Sequence, residues 1–246
     1  MSDMIIYPAL DLRGGQVVRL KQGDPSQQTI YSADPRVTAR QWIDQGAKWL
    51  HVVNLDGALS AANDNELVAR DLAKIGVAAK VQIQFGGGLR SAVDVARAID
   101  LGISRVVIGT LAVTEPDLVG QLIAHYGADR IALALDARDG FITTHGWQQG
   151  SQQTPAALGQ HFAKLGARHA LYTDVARDGL LGGVDAAGTA ELAHVTGLAV
   201  IASGGVLDLA DIQALSATKS IAGVILGTAL YERKITLADA MRMAGD

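Results

Sequence analysis

Two aspartates stand in near-identical surroundings: Asp11 in Ile5-Ile6-Tyr7-Pro8-Ala9-Leu10-Asp11-Leu12-Arg13-Gly14-Gly15, and Asp136 in Ile131-Ala132-Leu133-Ala134-Leu135-Asp136-Ala137-Arg138-Asp139-Gly140. Each closes an apolar run that reads as a buried strand, then meets Arg and Gly. A carboxylate there is costly unless a wetted site or a partner receives it. The two lie 125 positions apart, about half the chain, and so read as corresponding points in two halves of one fold. Such a pair suits an acid and a base facing one substrate. For either residue alone, a loop cap or a pairing with Arg13 or Arg138 would serve as well. The matched positions favour catalysis.

Glycine turns supply the second signal. Gly86-Gly87-Gly88 follows an apolar run and leads to Arg90, and Ile108-Gly109-Thr110 ends the next run. Phosphate needs close backbone approach, several N–H donors and preferably a helix N-terminus, which glycine with a nearby hydroxyl provides. Ser203-Gly204-Gly205 and Gly227-Thr228 repeat the arrangement later in the chain. Any one turn is explained by turn geometry alone. The paired sets point to two phosphate sites on opposite sides of a long substrate.

A third signal is Thr173-Asp174-Val175-Ala176-Arg177-Asp178-Gly179. Thr173, at a strand end, can orient a catalytic carboxylate, Asp178 can bind substrate hydroxyls, and Gly179 can present its N–H to phosphate. Asp174 and Arg177 read equally as a loop ion pair. Trp147 falls in a polar loop where it can stack on a heteroaromatic ring, whereas Trp42 and Trp49 read as core. His51 lies within a strand, either reaching the pocket or packed. The other five histidines, His125, His145, His161, His169 and His194, have no metal-ligand spacing, and no metal site is expected.

The elements that must position these residues alternate. Apolar runs Ile5–Leu10, Trp49–Asn54, Lys80–Phe85, Arg105–Ile108, Ile131–Asp136, Ala170–Thr173, Ala199–Ala202 and Gly223–Leu226 read as strands. Amphipathic patterns between them predict helices near Pro35–Gln45, Glu66–Ile75, Ala92–Leu101, Pro116–Tyr126, Pro155–Leu165, Ala186–Val195, Leu209–Leu215 and Leu237–Met243. Asp34-Pro35, Thr114-Glu115-Pro116 and Thr154-Pro155 mark helix starts; Gly46, Gly76, Gly102, Gly127 and Gly166 mark ends. Eight such units predict a single (β/α)8 TIM barrel over residues 1–246 rather than an open sheet. No G-x-G-x-x-G follows the first strand, and no G-x-S-x-G elbow or P-loop is present. Gly46-Ala47-Lys48 recurs as Gly166-Ala167-Arg168, Gly87-Gly88 as Gly204-Gly205, and Ile108–Ala112 as Leu226–Leu230, offset by 120, 117 and 118. The ordered set predicts an internal half-barrel duplication, with halves near 1–125 and 126–246. The loops after the strands then share one rim, with Asp11 and Asp136 across the mouth from each other.

Totals bound the rest. An apolar content of 49% supports a substantial core, and aromatics at 4% make it one of Val, Ile, Leu and Ala. A net charge of −4 without a long basic run argues against nucleic-acid or anionic-membrane partners. The absence of cysteine excludes disulfides and thiolate chemistry. With no signal-like N-terminus or spanning apolar run, a cytoplasmic protein is expected. The expected oligomeric state is a monomer.

Pro8-Ala9-Leu10-Asp11-Leu12, Val17–Asp24, Asn54-Leu55-Asp56-Gly57-Ala58, Gly86–Arg90, Ile108-Gly109-Thr110, Gly146-Trp147, Thr173–Gly179 and Ala202-Ser203-Gly204-Gly205-Val206 together resemble the ProFAR isomerase family of histidine biosynthesis (phosphoribosylformimino-5-aminoimidazole carboxamide ribotide isomerase). The resemblance covers essentially the whole chain. The sister cyclase family shares both aspartates, but its first strand usually ends in Cys-Leu-Asp-Val, and it normally carries Asn where this chain has Gly109. A bifunctional relative acting also on phosphoribosylanthranilate, and a non-catalytic phosphate-binding barrel, remain as alternatives. The resemblance implies an Amadori rearrangement, ProFAR to PRFAR, on a bisphosphorylated ribotide. Asp136 would be the general acid and Asp11 the general base, with Thr173 supporting Asp136, Trp147 stacking on the substrate, and Arg19 and Asp178 contacting it. An iminium electron sink implies no cofactor. The chain departs from the family pattern at Leu180, where Thr is frequent, at Val184-Asp185, where Gly-Asn or Pro-Asn is usual, and at Asn54, in place of Asp. The stretch Gln22–Asp34 and the Gly140–Thr154 loop are expected to be mobile without substrate.

Overall fold

The computed structural model describes residues 4–60 and 65–246. Eight parallel strands form its centre: β1 (Ile5–Arg13), β2 (Trp49–Asn54), β3 (Gln82–Gly86), β4 (Arg105–Ile108), β5 (Ile131–Ala134), β6 (His169–Thr173), β7 (Ala199–Ser203) and β8 (Ile221–Leu226). Each pairs with its successor, and β8 returns to β1 from Ile5↔Gly223 to Pro8↔Leu226. The sheet is therefore closed, and the fold is the (β/α)8 barrel. Helices α1 (Pro35–Asp44), α2 (Glu66–Ala79), α3 (Ala92–Asp100), α4 (Pro116–Tyr126), α5 (Pro155–Lys164), α6 (Ala186–Thr196), α7 (Leu209–Ala217) and α8 (Leu237–Ala244) alternate with the strands.

Strand periodicity separates two cores. Ile6, Leu10 and Leu12 on β1 and Ile131 and Leu133 on β5 join the larger cluster that includes helix residues such as Val95, Val119 and Phe162. Tyr7, Ala9, Val107, Ala132, Leu171, Ile201 and Ile225 form a second, smaller cluster that fills the barrel interior. In Ile131-Ala132-Leu133-Ala134-Leu135, large residues face the helices and alanines face the lumen. The small inward residues leave space toward the strand ends.

Several predicted boundaries shift for local reasons. β1 runs on through Asp11 to Arg13, because it also pairs antiparallel with Gln16–Lys21 (Asp11↔Val18). β5 stops at Ala134, so Asp136 lies two residues beyond the strand. The third strand starts at Gln82, not Lys80, since Lys80 takes a left-handed φ of 58° as the cap of α2. Gly76 does not end α2; it sits inside it, where a Cβ would meet Ile83 Cγ1 and Val81 O at 2.8 Å. Asp34 and Thr154 cap their proline-led helices by accepting from Arg36 N and Ala157 N. Before Pro116 the cap is Glu115, with no side-chain bond. The two segments expected as loops carry their own pairing. Asp24–Ser32 pairs with Gln16–Lys21, and Phe141–Thr144 pairs with Ala137–Arg138 and Gln149–Gly150. Among the described residues no helix is long and apolar enough to cross a membrane.

Candidate active site

Inward phase explains where the chemistry gathers. Following Tyr7 and Ala9, the next inward position of β1 is Asp11; following Ala132 and Ala134, the next along the fifth unit is Asp136. The same count gives Gly109 after Val107, Thr173 after Leu171, Ser203 after Ile201, and Gly227 after Ile225. All of these line one cavity at the C-terminal mouth of the barrel. Arg19, Gly87, Gly88, Arg90, Thr110, Trp147, Asp178, Gly179, Gly204, Gly205 and Thr228 line it as well. Every site residue predicted from sequence thus borders a single cavity.

The two aspartates have different partners. Arg19, from the hairpin after β1, donates Nη1 to Asp11 Oδ2, and both side chains are only 14% exposed. Burial pushes the Asp11 carboxyl up, and the adjacent guanidinium opposes that rise. Asp136 receives neutral donors: the Trp147 indole N–H at 2.9 Å and the Thr173 hydroxyl. Burial raises its pKa too, opposed by those two hydrogen bonds. A third carboxyl, Asp178, is pushed up to about 7 by burial; Arg19 pulls it down, while Asp11 and Asp136 add repulsion.

The paired glycines answer first to sterics. A Cβ on Gly87 would meet Asn54 O at 2.2 Å, and one on Gly88 would meet Gly57 Cα at 2.8 Å. Gly205 would meet Gly183 O at 2.5 Å. All four take positive φ, +95° and +81° at 87 and 88, +84° and +83° at 204 and 205. Turn geometry therefore requires them, and the same bare backbone forms the cavity wall. Gly109 and Gly227 share a further likeness, φ −108° and −113°, each opening a short helical turn, Thr110–Thr114 and Thr228–Tyr231.

Some side chains already have work. Arg90 Nη2 donates to Gly57 O, Ala58 O and Ser60 Oγ, so it also braces the turn after β2. Thr110 Oγ1 accepts from His145 N at 2.9 Å, and so anchors the loop after β5. In that loop His145, Gly146 and Trp147 all take φ between 55° and 67°. This is a strained run for two bulky residues. Gly23 of the β1 hairpin packs on the Trp147 ring, and Gln22 N donates to Asp178 O. The extra segments after β1, β5 and β6 therefore meet over the cavity. Asp185 caps α6 through Gly188 N, and Asp174 pairs with Arg177 at 2.9 Å.

His51 is both buried and at the cavity wall. Burial and Arg19 push it down to about 3, so it is neutral. Gln84 Oε1 accepts from Arg105, which turns its Nε2 toward His51 Nδ1 at 3.1 Å. Among the described residues no group of three or more His, Cys, Asp or Glu is arranged to hold a metal ion. Apolar runs and turn signals carried no sign of the buried Gln84–Arg105 pair.

The chain is similar to known proteins over nearly its whole length. A family model described as histidine biosynthesis protein matches residues 5–236. A Syntrophomonas wolfei protein is 45% identical over 243 residues, 98% of each chain, and one from Rhizorhabdus wittichii is 44% identical with the same coverage. A Bacillus pumilus protein is 42% identical, again over 98% of both. All three are named 1-(5-phosphoribosyl)-5-((5-phosphoribosylamino)methylideneamino) imidazole-4-carboxamide isomerase.

Proposed function

The chain belongs to the histidine biosynthesis protein family and is an isomerase of that pathway, and from this premise we propose that Asp11 and Asp136 are its general base and general acid. The substrate is the one in its relatives' name, ProFAR, with a phosphoribosyl group at each end, and the reaction is an aldose–ketose rearrangement. We place it in the cytoplasm, on its biosynthetic family and its lack of cysteine.

One observation carries the division of labour. Two buried carboxyls border one cavity, but only Asp11 has a guanidinium against it. A cation favours the ionised form, so Asp11 is the better base; neutral donors leave Asp136 the better proton source. Asp136 protonates the furanose ring oxygen, the ring opens, and nitrogen lone-pair donation gives an iminium at C1. Asp11 removes the C2 proton, and the C–H electron pair moves into the iminium. The resulting enolamine tautomerises to the aminoketose. Thr173 and Trp147 hold Asp136. The phosphates take the backbone at Gly87–Gly88 with Gly109–Thr110, and at Ser203–Gly205 with Gly227–Thr228; holding both ends supplies orientation.

The test is turnover of ProFAR by the purified chain, with Asp11→Asn and Asp136→Asn beside it. Each variant is expected to lose about 10²–10⁴-fold in kcat. Parent-like turnover by both would remove the acid–base reading. Assaying phosphoribosylanthranilate alongside defines substrate range.

A further inference from the structure

We propose that Tyr231 is a positioning residue for Asp11: its ring holds the Arg19 guanidinium beside that carboxylate. The proposal rests on the reading of Asp11 as general base.

Arg19 makes one hydrogen-bonded contact at this site, Nη1 to Asp11. Its Nε and Nη2 are buried without a hydrogen-bond partner among the described residues. A single contact of this kind leaves the guanidinium plane free to turn, so packing must fix it. The turn after β8 supplies that packing. The Arg19 guanidinium carbon lies 5.7 Å from the centroid of the Tyr231 ring, within the range of a cation–π contact. The guanidinium also presses on Gly227, where a Cβ would meet Nη2 at 2.1 Å and Cζ at 2.3 Å. Both ends of one short turn therefore locate Arg19.

Tyr231 is itself held. Its Oη donates to Ala9 O at 2.7 Å, two residues before Asp11 on the same strand. Tyr31 stacks on its ring at 4.8 Å between centroids, and Trp42 meets it edge-on at 5.7 Å. Tyr31 is fixed in turn by its hydrogen bond to Glu232. A ring clamped on two sides is a firm wall for a side chain with few polar restraints. The groups whose charge reaches the Asp11–Arg19 pair are Asp178 from the loop after β6, His51 on β2, and Tyr31 and Tyr231; Asp136, from the loop after β5, acts on Asp178.

The test follows the Asp11 carboxyl by carbon NMR titration, its signal identified with Asp11→Asn, in parallel with kcat. Tyr231→Leu removes the ring and is expected to raise the Asp11 midpoint, because the counter-charge is less well placed while burial remains. It should also lower kcat about tenfold, as small displacements of catalytic groups do. Tyr231→Phe keeps the ring and should keep the midpoint, which a merely structural role of the hydroxyl would not predict. Tyr231→Met, of similar reach but without a π face, is the second variant and should behave like Tyr231→Leu. An Asp11 midpoint unmoved in the leucine or methionine variant overturns the proposal. If Asp11→Asn keeps full turnover while the midpoint still moves in Tyr231→Leu, the general-base reading fails and the positioning contact stands.

Discussion

At the scale of single residues, the site is governed by what stands next to each buried carboxyl. Trp147 donates to Asp136 and so favours its ionised form. Trp147→Phe keeps an aromatic ring but removes that donor, and Asp136 should rise further. An acid must be protonated to act, so the alkaline limb of kcat/KM, which reports the free enzyme, is expected to move to higher pH with the acid limb unchanged. Asp178 gives a stability prediction. Its folded value of about 7 lies above the 3.8 of a free aspartate, so the folded state binds more protons between them. Its contribution is fully present below the lower value and is lost as pH rises through the upper one. Asp178→Asn should therefore melt increasingly above the parent chain as pH rises from about 4 to about 8. A gap that stays constant with pH would show that this titration is not linked to folding.

Elements fix where such residues meet, and here glycine sterics matter more than propensity. Gly14 and Gly87 both have positive φ, 55° and 95°, but only Gly87 faces backbone, with Asn54 O 2.2 Å from a built Cβ. Gly14→Ala should lose only the conformational term, ~1 kcal/mol. Gly87→Ala should lose that plus the displacement of the turn after β2, about 3 kcal/mol or more, measured by urea unfolding. Equal losses would mean that the neighbouring turn yields without cost. The predicted helices and strands were legible because amphipathic and apolar runs are long here. Their ends were less so. The αL cap at Lys80 and the embedded Gly76 depend on contacts with Val81 and Ile83, which local pattern does not contain.

For the whole molecule, closure of the barrel joins residues hundreds of positions apart. Asp246 accepts from Ile6 N at 3.0 Å through Oδ2 and pairs with Lys48 at 2.8 Å through Oδ1, its side chain 4% exposed. Asp246→Ala leaves the β1 N–H unpaired beside the β1–β8 seam and should cost about 1–3 kcal/mol. Lys48→Ala removes the half-exposed ammonium of this pair but leaves Asp246 accepting from Ile6 N, and should cost less, about 1 kcal/mol. Denaturant midpoints of the two variants check this, and a larger loss for Lys48→Ala would refute it.

Residue type and order alone determined the eightfold alternation, the matched aspartates and the paired glycine turns, because buried strands, amphipathic helices and tight turns leave local signatures. Arg19 entered through family likeness and not through any local pattern, and Tyr231 gave no signal at all. Closure of the sheet decided those. It brings the hairpin after β1 against the turn after β8, and so sets the Tyr231 ring beside the Arg19 that the hairpin itself places at Asp11. Tertiary structure likewise decided that Thr110 and Arg90 brace neighbouring loops, because their partners come from separate βα units that only the closed ring places side by side.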